Sequence, residues 1–287
     1  MFSSAHATPQ SPEAMLLDGY SAEVTSPDRK SLDAAADLMP KGSRVYIASL
    51  PNDDPQKVVE AAVHLMKADL VPVPHVVARN LKSEDHFDSL LARLAGEAGV
   101  DRALILGGDR DDSAGPYTCA LELIESGILN RHGIDKIGLG IYPEGHPRIA
   151  TDVLDKALDE KLAAAKAHDL ETVLISQLCF DADAILKFIR TLRARGITNR
   201  IRVGLSGPAK RTTLIKYAMI CGVGPSLRAL KERQEMTKNL LSGERPDALV
   251  KALAEANLSD PALNIWGVHF FTFAAFKNTI DFVNEYL

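Results

Sequence analysis

The chain has 287 residues, 46 % hydrophobic and 25 % charged, with a formal net charge of −5. That length supports one large core, the mildly acidic balance excludes the basic stripe of a nucleic-acid binder, and no apolar run approaches the roughly 18 residues that cross a bilayer. Three cysteines, Cys119, Cys179 and Cys221, stand far apart without C-x-x-C spacing, which suits a reducing cytoplasm and gives no metal signature.

Residues 1–15 are small, polar and proline-containing, with neither the basic start nor the apolar stretch of a secretion signal, and are expected to form a flexible tail. From there to residue 287 the chain alternates. Short apolar, β-branched runs fall at Tyr20–Thr25, Arg44–Leu50, Val71–Ala78, Arg102–Gly108, Lys136–Pro143, Thr172–Phe180, Arg200–Gly207 and Trp266–Phe273. Most are apolar on both faces, as strands buried between a core and covering helices must be. Between them lie helical patterns. Val58, Val59, Ala62, Val63 and Met66 recur at helical spacing after the N-cap pair Asp54-Pro55, and Ile185, Phe188, Ile189 and Leu192 do so before Gly196. Two extra helices, Ser226–Leu241 and Pro246–Ala256, are expected before the last strand, split by Ser242-Gly243. Strict alternation implies a parallel sheet. Eight units favour closure, and no G-x-G-x-x-G follows the first strand. The expected fold is therefore α/β, a single-domain (β/α)8 TIM barrel over residues 16–287.

Barrel chemistry sits at the C-terminal ends of the strands, and polar residues cluster there: Glu23, Ser49, His75, Asp109, Tyr142, Glu144, His146, Gln177, Ser206 and Thr272. Glu23 interrupts an apolar strand, where an ionised carboxylate is costly to bury; a plain pairing with Arg29 is the competing reading. His75 suits a ligand or a hydrogen-bonded core position equally. Asp109 follows Gly107-Gly108, which would let a ligand approach the backbone. Tyr142-Pro143-Glu144-Gly145-His146-Pro147 is a stiff loop carrying three polar side chains, and Gln177 is an amide that must find partners. Ser206-Gly207-Pro208 with Lys210 and Arg211 behind it reads either as an anion-binding turn or as an ordinary capped helix. Two carboxylates at one mouth would also suit glycoside hydrolysis, but at 6 % aromatic residues the chain lacks a sugar-stacking surface.

The runs Tyr142–Pro147, Ile175–Asp181 and Val268–Phe273, together with Gly108-Asp109 and Pro74-His75, resemble in order and spacing the methylenetetrahydrofolate reductases. The similarity extends from about Ser21 to the C-terminus. It implies hydride transfer from NAD(P)H through FAD to a reduced folate, 5,10-methylenetetrahydrofolate. By resemblance, Glu23 and Asp109 are the catalytic pair and contact substrate with Gln177 and Phe271. His75, Gly108, Asp109, Tyr142, His146 and Lys161 stand where the family holds FAD. Glu23 is then the acid that opens the folate's imidazolidine ring, with a pKa expected to be raised by its apolar site. The match has gaps: Gly107 and Ala274-Ala275 replace a basic residue and an Asn-Arg pair, and the first strand and the GLSGPAKR turn differ. Direct hydride transfer from the nicotinamide without flavin is thus an open alternative. So are a methyl-transferring folate barrel and a non-catalytic pterin- or flavin-binding protein. No nucleic-acid or membrane partner is expected, and a homo-oligomer is compatible with the sequence.

Overall fold

The computed structural model describes residues 10–51, 53–221, 223 and 245–287. Eight strands, β1 (Ser21–Thr25), β2 (Arg44–Ala48), β3 (Val71–Val77), β4 (Arg102–Leu106), β5 (Lys136–Ile141), β6 (Glu171–Ser176), β7 (Ile201–Ser206) and β8 (Ile265–Phe271), form a closed parallel barrel in chain order. Closure joins the first strand to the last, with Ser21 opposite His269 and Glu23 opposite Phe271. Each expected strand is present. All but β1 stop one to four residues short of the expected run, which continues into the loop at the C-terminal mouth.

The helices are α1 (Pro12–Leu17), α2 (Arg29–Leu38), α3 (Pro55–Lys67), α4 (Glu84–Ala98), α5 (Ala120–Glu125), α6 (Ile128–Arg131), α7 (Thr151–Ala167), α8 (Ala182–Ala194), α9 (Arg211–Ile220), α10 (Asp247–Ser259) and α11 (Phe276–Asn284). Their ends follow local chemistry. The Asp54 carboxylate accepts the Gln56 N–H at 2.9 Å at the start of α3, and Asp181 caps α8 in the same way through Asp183 N–H, each satisfying a donor that the helix leaves open. Beyond α8 the chain turns at Gly196, whose φ is +81°. Inward faces such as Val58, Val59, Ala62 and Leu65 of α3, and Ile185, Ile189 and Leu192 of α8, are buried against the outside of the sheet.

One expectation changes. Residues 12–15, expected within the tail, belong to α1. Ser11 accepts the Ala14 N–H at 3.1 Å, and Leu16 and Leu17 are buried among helix α10 and strand β8; six residues are too few for a helical period to be read in the sequence. The β4–β5 connection is made by two short helices, α5 and α6. The expected helix Pro246–Ala256 is α10, whereas Ser226–Leu241 lies outside the described residues.

Inside the barrel, Tyr46, Val73, Leu104 and Ile175 pack as a small apolar layer. Above it, toward the C-terminal ends of the strands, the interior turns polar, an arrangement that costs stability unless each group is partnered.

Candidate functional site

Glu23 sits in the middle of β1 with its side chain 20 % exposed. Its Oε2 lies 3.3 Å from His75 Nε2 and 3.6 Å from His269 Nε2. Arg29 does not reach it; that guanidinium pairs with Asp33 at 3.0 Å. His269 is fully buried, its Nδ1 is 3.0 Å from the Ser21 hydroxyl, and the Tyr46 ring meets it edge-on at 4.5 Å. The Thr272 hydroxyl donates to the Glu23 carbonyl at 2.8 Å. β1, β3 and β8 thus bring one carboxylate and two imidazoles together.

The electrostatics reverse one expectation. Burial pushes the Glu23 carboxyl upward, but the His269 and His75 imidazoles beside it outweigh that and hold it down at about 2. Burial depresses His269, with Glu23 partly opposing. At neutral pH the cluster therefore holds a carboxylate beside a neutral His269. An apolar site alone would have raised Glu23; the partners supplied by β3 and β8 decide otherwise.

Asp109 leaves the end of β4 as an exposed residue of the same mouth. The Cys221 thiol after α9 feels both carboxylates: burial first, then Glu23 and Asp109, push it up to about 11. The loop carrying Asp109 is tied down by arginines. Arg79 donates to the Thr118 and Arg110 carbonyls at 2.9 and 2.8 Å, and Arg148 to the Asp109 carbonyl at 3.1 Å. Gly108 has φ +104°, and a Cβ there would lie 2.5 Å from Val77 Cγ1. Its missing side chain is required by the packing of this turn.

Gln177 follows β6. Its Oε1 accepts the Leu178 N–H at 2.8 Å, which leaves the amide NH2 as the group available to a ligand. Phe271 ends β8 and packs edge-on to His269 at 5.1 Å and parallel to Phe273 at 6.2 Å, and Phe273 stacks on Tyr217 at 4.1 Å. A line of rings therefore runs from the barrel interior to the mouth. Gly204 makes room for it, since a Cβ there would meet Phe271 Cε2 at 2.7 Å. On the β5 side, Tyr142 and His146 meet edge-on at 5.3 Å. His146 Nδ1 accepts the Arg148 N–H at 3.2 Å, and burial, then Arg148, lowers its pKa. Lys161, half-buried on α7, has its pKa lowered by burial and stands near Cys119 at the start of α5.

The chain matches the family model described as methylenetetrahydrofolate reductase over residues 30–279. The chain belongs to the methylenetetrahydrofolate reductase family. It is 28 % identical over 185 residues to a probable methylenetetrahydrofolate reductase (NADH) of Oryza sativa subsp. japonica, covering 57 % of this chain and 30 % of that protein. It is 26 % identical over 192 residues to methylenetetrahydrofolate reductase (NADH) 1 of Arabidopsis thaliana, covering 61 % and 28 %. The chain thus spans less than a third of the length of these relatives. Among solved structures, dihydropteroate synthase from Thermus thermophilus superposes with a TM-score of 0.47 at 13 % identity, covering 93 % of this chain and 92 % of that one.

Within this divergent member of the methylenetetrahydrofolate reductase family, the residues expected at the site divide. Glu23, Asp109, Gln177 and Phe271 come to one mouth. His75, expected on the cofactor, lies beside Glu23 in the same mouth. Tyr142 and His146, after β5, feel the Asp109 carboxylate at the same mouth, whereas Lys161 on α7 stands near Cys119. Ser206, 5 % exposed, ends β7 opposite Phe271. Lys210 caps α9 and, with Thr213, Phe273, Ala274 and Ala275, lines a cavity of about 600 Å³ beside the mouth. Sequence reasoning missed His269 and Cys221. The signal for His269 was present: it stands two residues before Phe271, on the same face of a strand. Among the described residues no group of three His, Cys, Asp or Glu side chains is arranged to hold a metal ion, and no helix is long and apolar enough to cross a membrane.

Proposed function

We propose that this chain catalyses NAD(P)H-dependent reduction of 5,10-methylenetetrahydrofolate to 5-methyltetrahydrofolate, serving one-carbon and methionine metabolism. The observation that carries this reading is the Glu23–His75–His269 cluster set beside the line of rings that runs through Phe271 to Phe273 and Tyr217, in a member of this family. A flat pterin would stack on Phe271 while the Gln177 NH2 donates to its carbonyl or ring nitrogen. Opening the imidazolidine ring breaks a carbon–nitrogen bond and needs a proton on the departing nitrogen; hydride then adds to the iminium carbon. Glu23, ionised at neutral pH, does not carry that proton at rest; it would take one from solvent and relay it to the departing nitrogen. Asp109, exposed at the rim, adds negative charge that favours the iminium.

The residues after β5 and on α7 have the chemistry to hold the flavin used by the family. Lys161 is a half-buried cation without a carboxylate partner among the described residues, suited to a phosphate, and Tyr142 and His146 present an aromatic surface after β5. FAD, when bound, would accept hydride from NAD(P)H and pass it to the folate. NADH is favoured as donor by the names of the plant relatives. The test is anaerobic oxidation of NADH and NADPH with the folate substrate, with and without added FAD, alongside the absorption spectrum of the purified chain. Folate-dependent oxidation with a flavin spectrum is expected. Oxidation by a colourless protein would replace the flavin route by direct transfer. No folate-dependent oxidation in any arm would overturn the reading in favour of a methyl-transferring or carrier barrel.

A further inference from the structure

The opposite end of the barrel carries a second feature that the reductase chemistry does not use. At the N-terminal ends of β2, β4, β5, β6 and β8, a cavity of about 200 Å³ is lined by Arg44, Arg102, Lys136, Glu171, Arg200 and Trp266, among other residues. Two of its cations are already neutralised, Arg102 by Asp101 at 2.7 Å and Lys136 by Asp101 and Asp135, each at 2.8 Å. Among the described residues Arg44 and Arg200 are in no ion pair, although the Glu171 and Asp101 carboxylates act on Arg44 from a distance. The guanidinium carbons of Arg44, Arg200 and the adjoining Arg202, which is not part of the lining, lie 4.6, 5.1 and 4.3 Å from the centre of the Trp266 ring, and none is in an ion pair with a carboxylate among the described residues. Arg202 is only 1 % exposed, donates to the Val268 carbonyl at 3.3 Å, and leaves its buried Nε without a partner.

Three guanidiniums around one indole cannot relieve their repulsion by losing protons. Each ring contact offsets less than the cost of leaving a charged donor buried and unmatched, as the Arg202 Nε is. Burial, then the neighbouring Arg102, depress Arg44, and Tyr46, Glu171 and Asp101 oppose them only in part. In a chain of net charge −5, this end has gathered positive charge around a space large enough for a few heavy atoms. Planar guanidinium forks match the paired oxygens of phosphate and carboxylate groups.

We propose that this basic cavity at the N-terminal face is a binding site for a compact polyanion bearing phosphate or clustered carboxylate groups, separate from the candidate active site. The inference does not depend on the proposed reductase activity.

Trp266 is the only tryptophan of the chain, so its emission reports this site alone. The full-length protein is titrated with pyrophosphate and, separately, with citrate, at ionic strength held constant with sodium chloride. A saturable change in tryptophan emission is expected with at least one probe. If pyrophosphate alone saturates, the ligand is of the phosphate class, and if citrate alone, of the carboxylate class. Arg44→Gln and Arg200→Gln should each raise the half-saturating concentration about tenfold, the equivalent of 1.4 kcal/mol. Arg200 is exposed and its replacement should leave the fold intact, which circular dichroism checks. Lys210→Ala, at the other end of the barrel, should titrate like the parent. A response that stays linear, that sodium chloride alone reproduces, or that is unchanged in both arginine variants would overturn the proposal and leave the cluster as a stacked plug of the barrel floor.

Discussion

Glu23 shows how a single side chain takes its chemistry from neighbours far away in sequence. A carboxylate in an apolar strand marks an exceptional position because burial of the charge is costly, and that much can be read from residues 20–25. The direction of its pKa cannot, because it is set by His75, 52 residues later, and His269, 246 residues later, which only barrel closure brings to it. Glu23→Gln keeps the shape but removes the charge that couples the two imidazoles. It is expected to lower turnover of the folate by about 10²–10⁴-fold with little change in cofactor affinity; near-parental turnover in stopped-flow assays would remove Glu23 from the reaction. The same residue predicts a pH effect. Its folded pKa near 2 lies below the ordinary 4.5, so its stabilising contribution is complete above pH 4.5 and is lost as pH falls through 2. Urea midpoints of the parent and Glu23→Gln should therefore differ most at pH 6–7 and converge below about pH 3. A gap that widens on acidification would show that the imidazoles do not hold the carboxylate down.

At the level of elements, alternation and capping were readable because they are local. Buried parallel strands need apolar residues on both faces, and Asp54-Pro55 and Asp181 start helices by satisfying N–H groups within three residues. What escaped was either too short to show a period, as with α1, α5 and α6, or depended on contact between elements. Gly107-Gly108 is instructive. Its glycines suggested an approach for a ligand, yet Gly108 is required because β3 packs Val77 against the turn that leaves β4. Gly108→Ala combines a left-handed backbone, worth about 1–2 kcal/mol, with overpacking of about 1–3 kcal/mol. It should lower stability by about 2–4 kcal/mol and displace Asp109, raising the KM for folate. Adding Val77→Ala should restore part of the loss. If the double variant is no more stable than Gly108→Ala alone, the clash with Val77 is not the cause.

Across the whole molecule, the barrel separates its charges along its axis, with a carboxylate–imidazole cluster and Asp109 toward the C-terminal mouth and a basic, tryptophan-centred cavity at the N-terminal floor. Helix α1 contributes to that floor. Its backbone passes close to β8, where a Cβ on Gly267 would lie 3.4 Å from the Leu16 carbonyl and from Arg202, and its side chains Leu16 and Leu17 are 4 % and 0 % exposed. The helix that takes in residues 12–15 of the expected tail thus enters the core through Ala14, Leu16 and Leu17 just before β1, the strand that must pair with β8 to close the sheet. Leu17→Ala removes a fully buried side chain at this junction. Such truncations cost about 2–5 kcal/mol, the larger values where the surroundings cannot collapse into the space, and strands held on both sides by backbone hydrogen bonds give little room to collapse. In a chain of this size each kcal/mol moves the melting temperature by about 2–4 °C, so a fall of about 5–15 °C is expected by differential scanning calorimetry, with the strands and the Glu23 cluster still formed below the transition. Met15→Ala, on the exposed side of the same helix at 56 % exposure, should move it by less than about 2 °C. Equal small shifts for both variants would mean that α1 rests on the barrel without being part of its core.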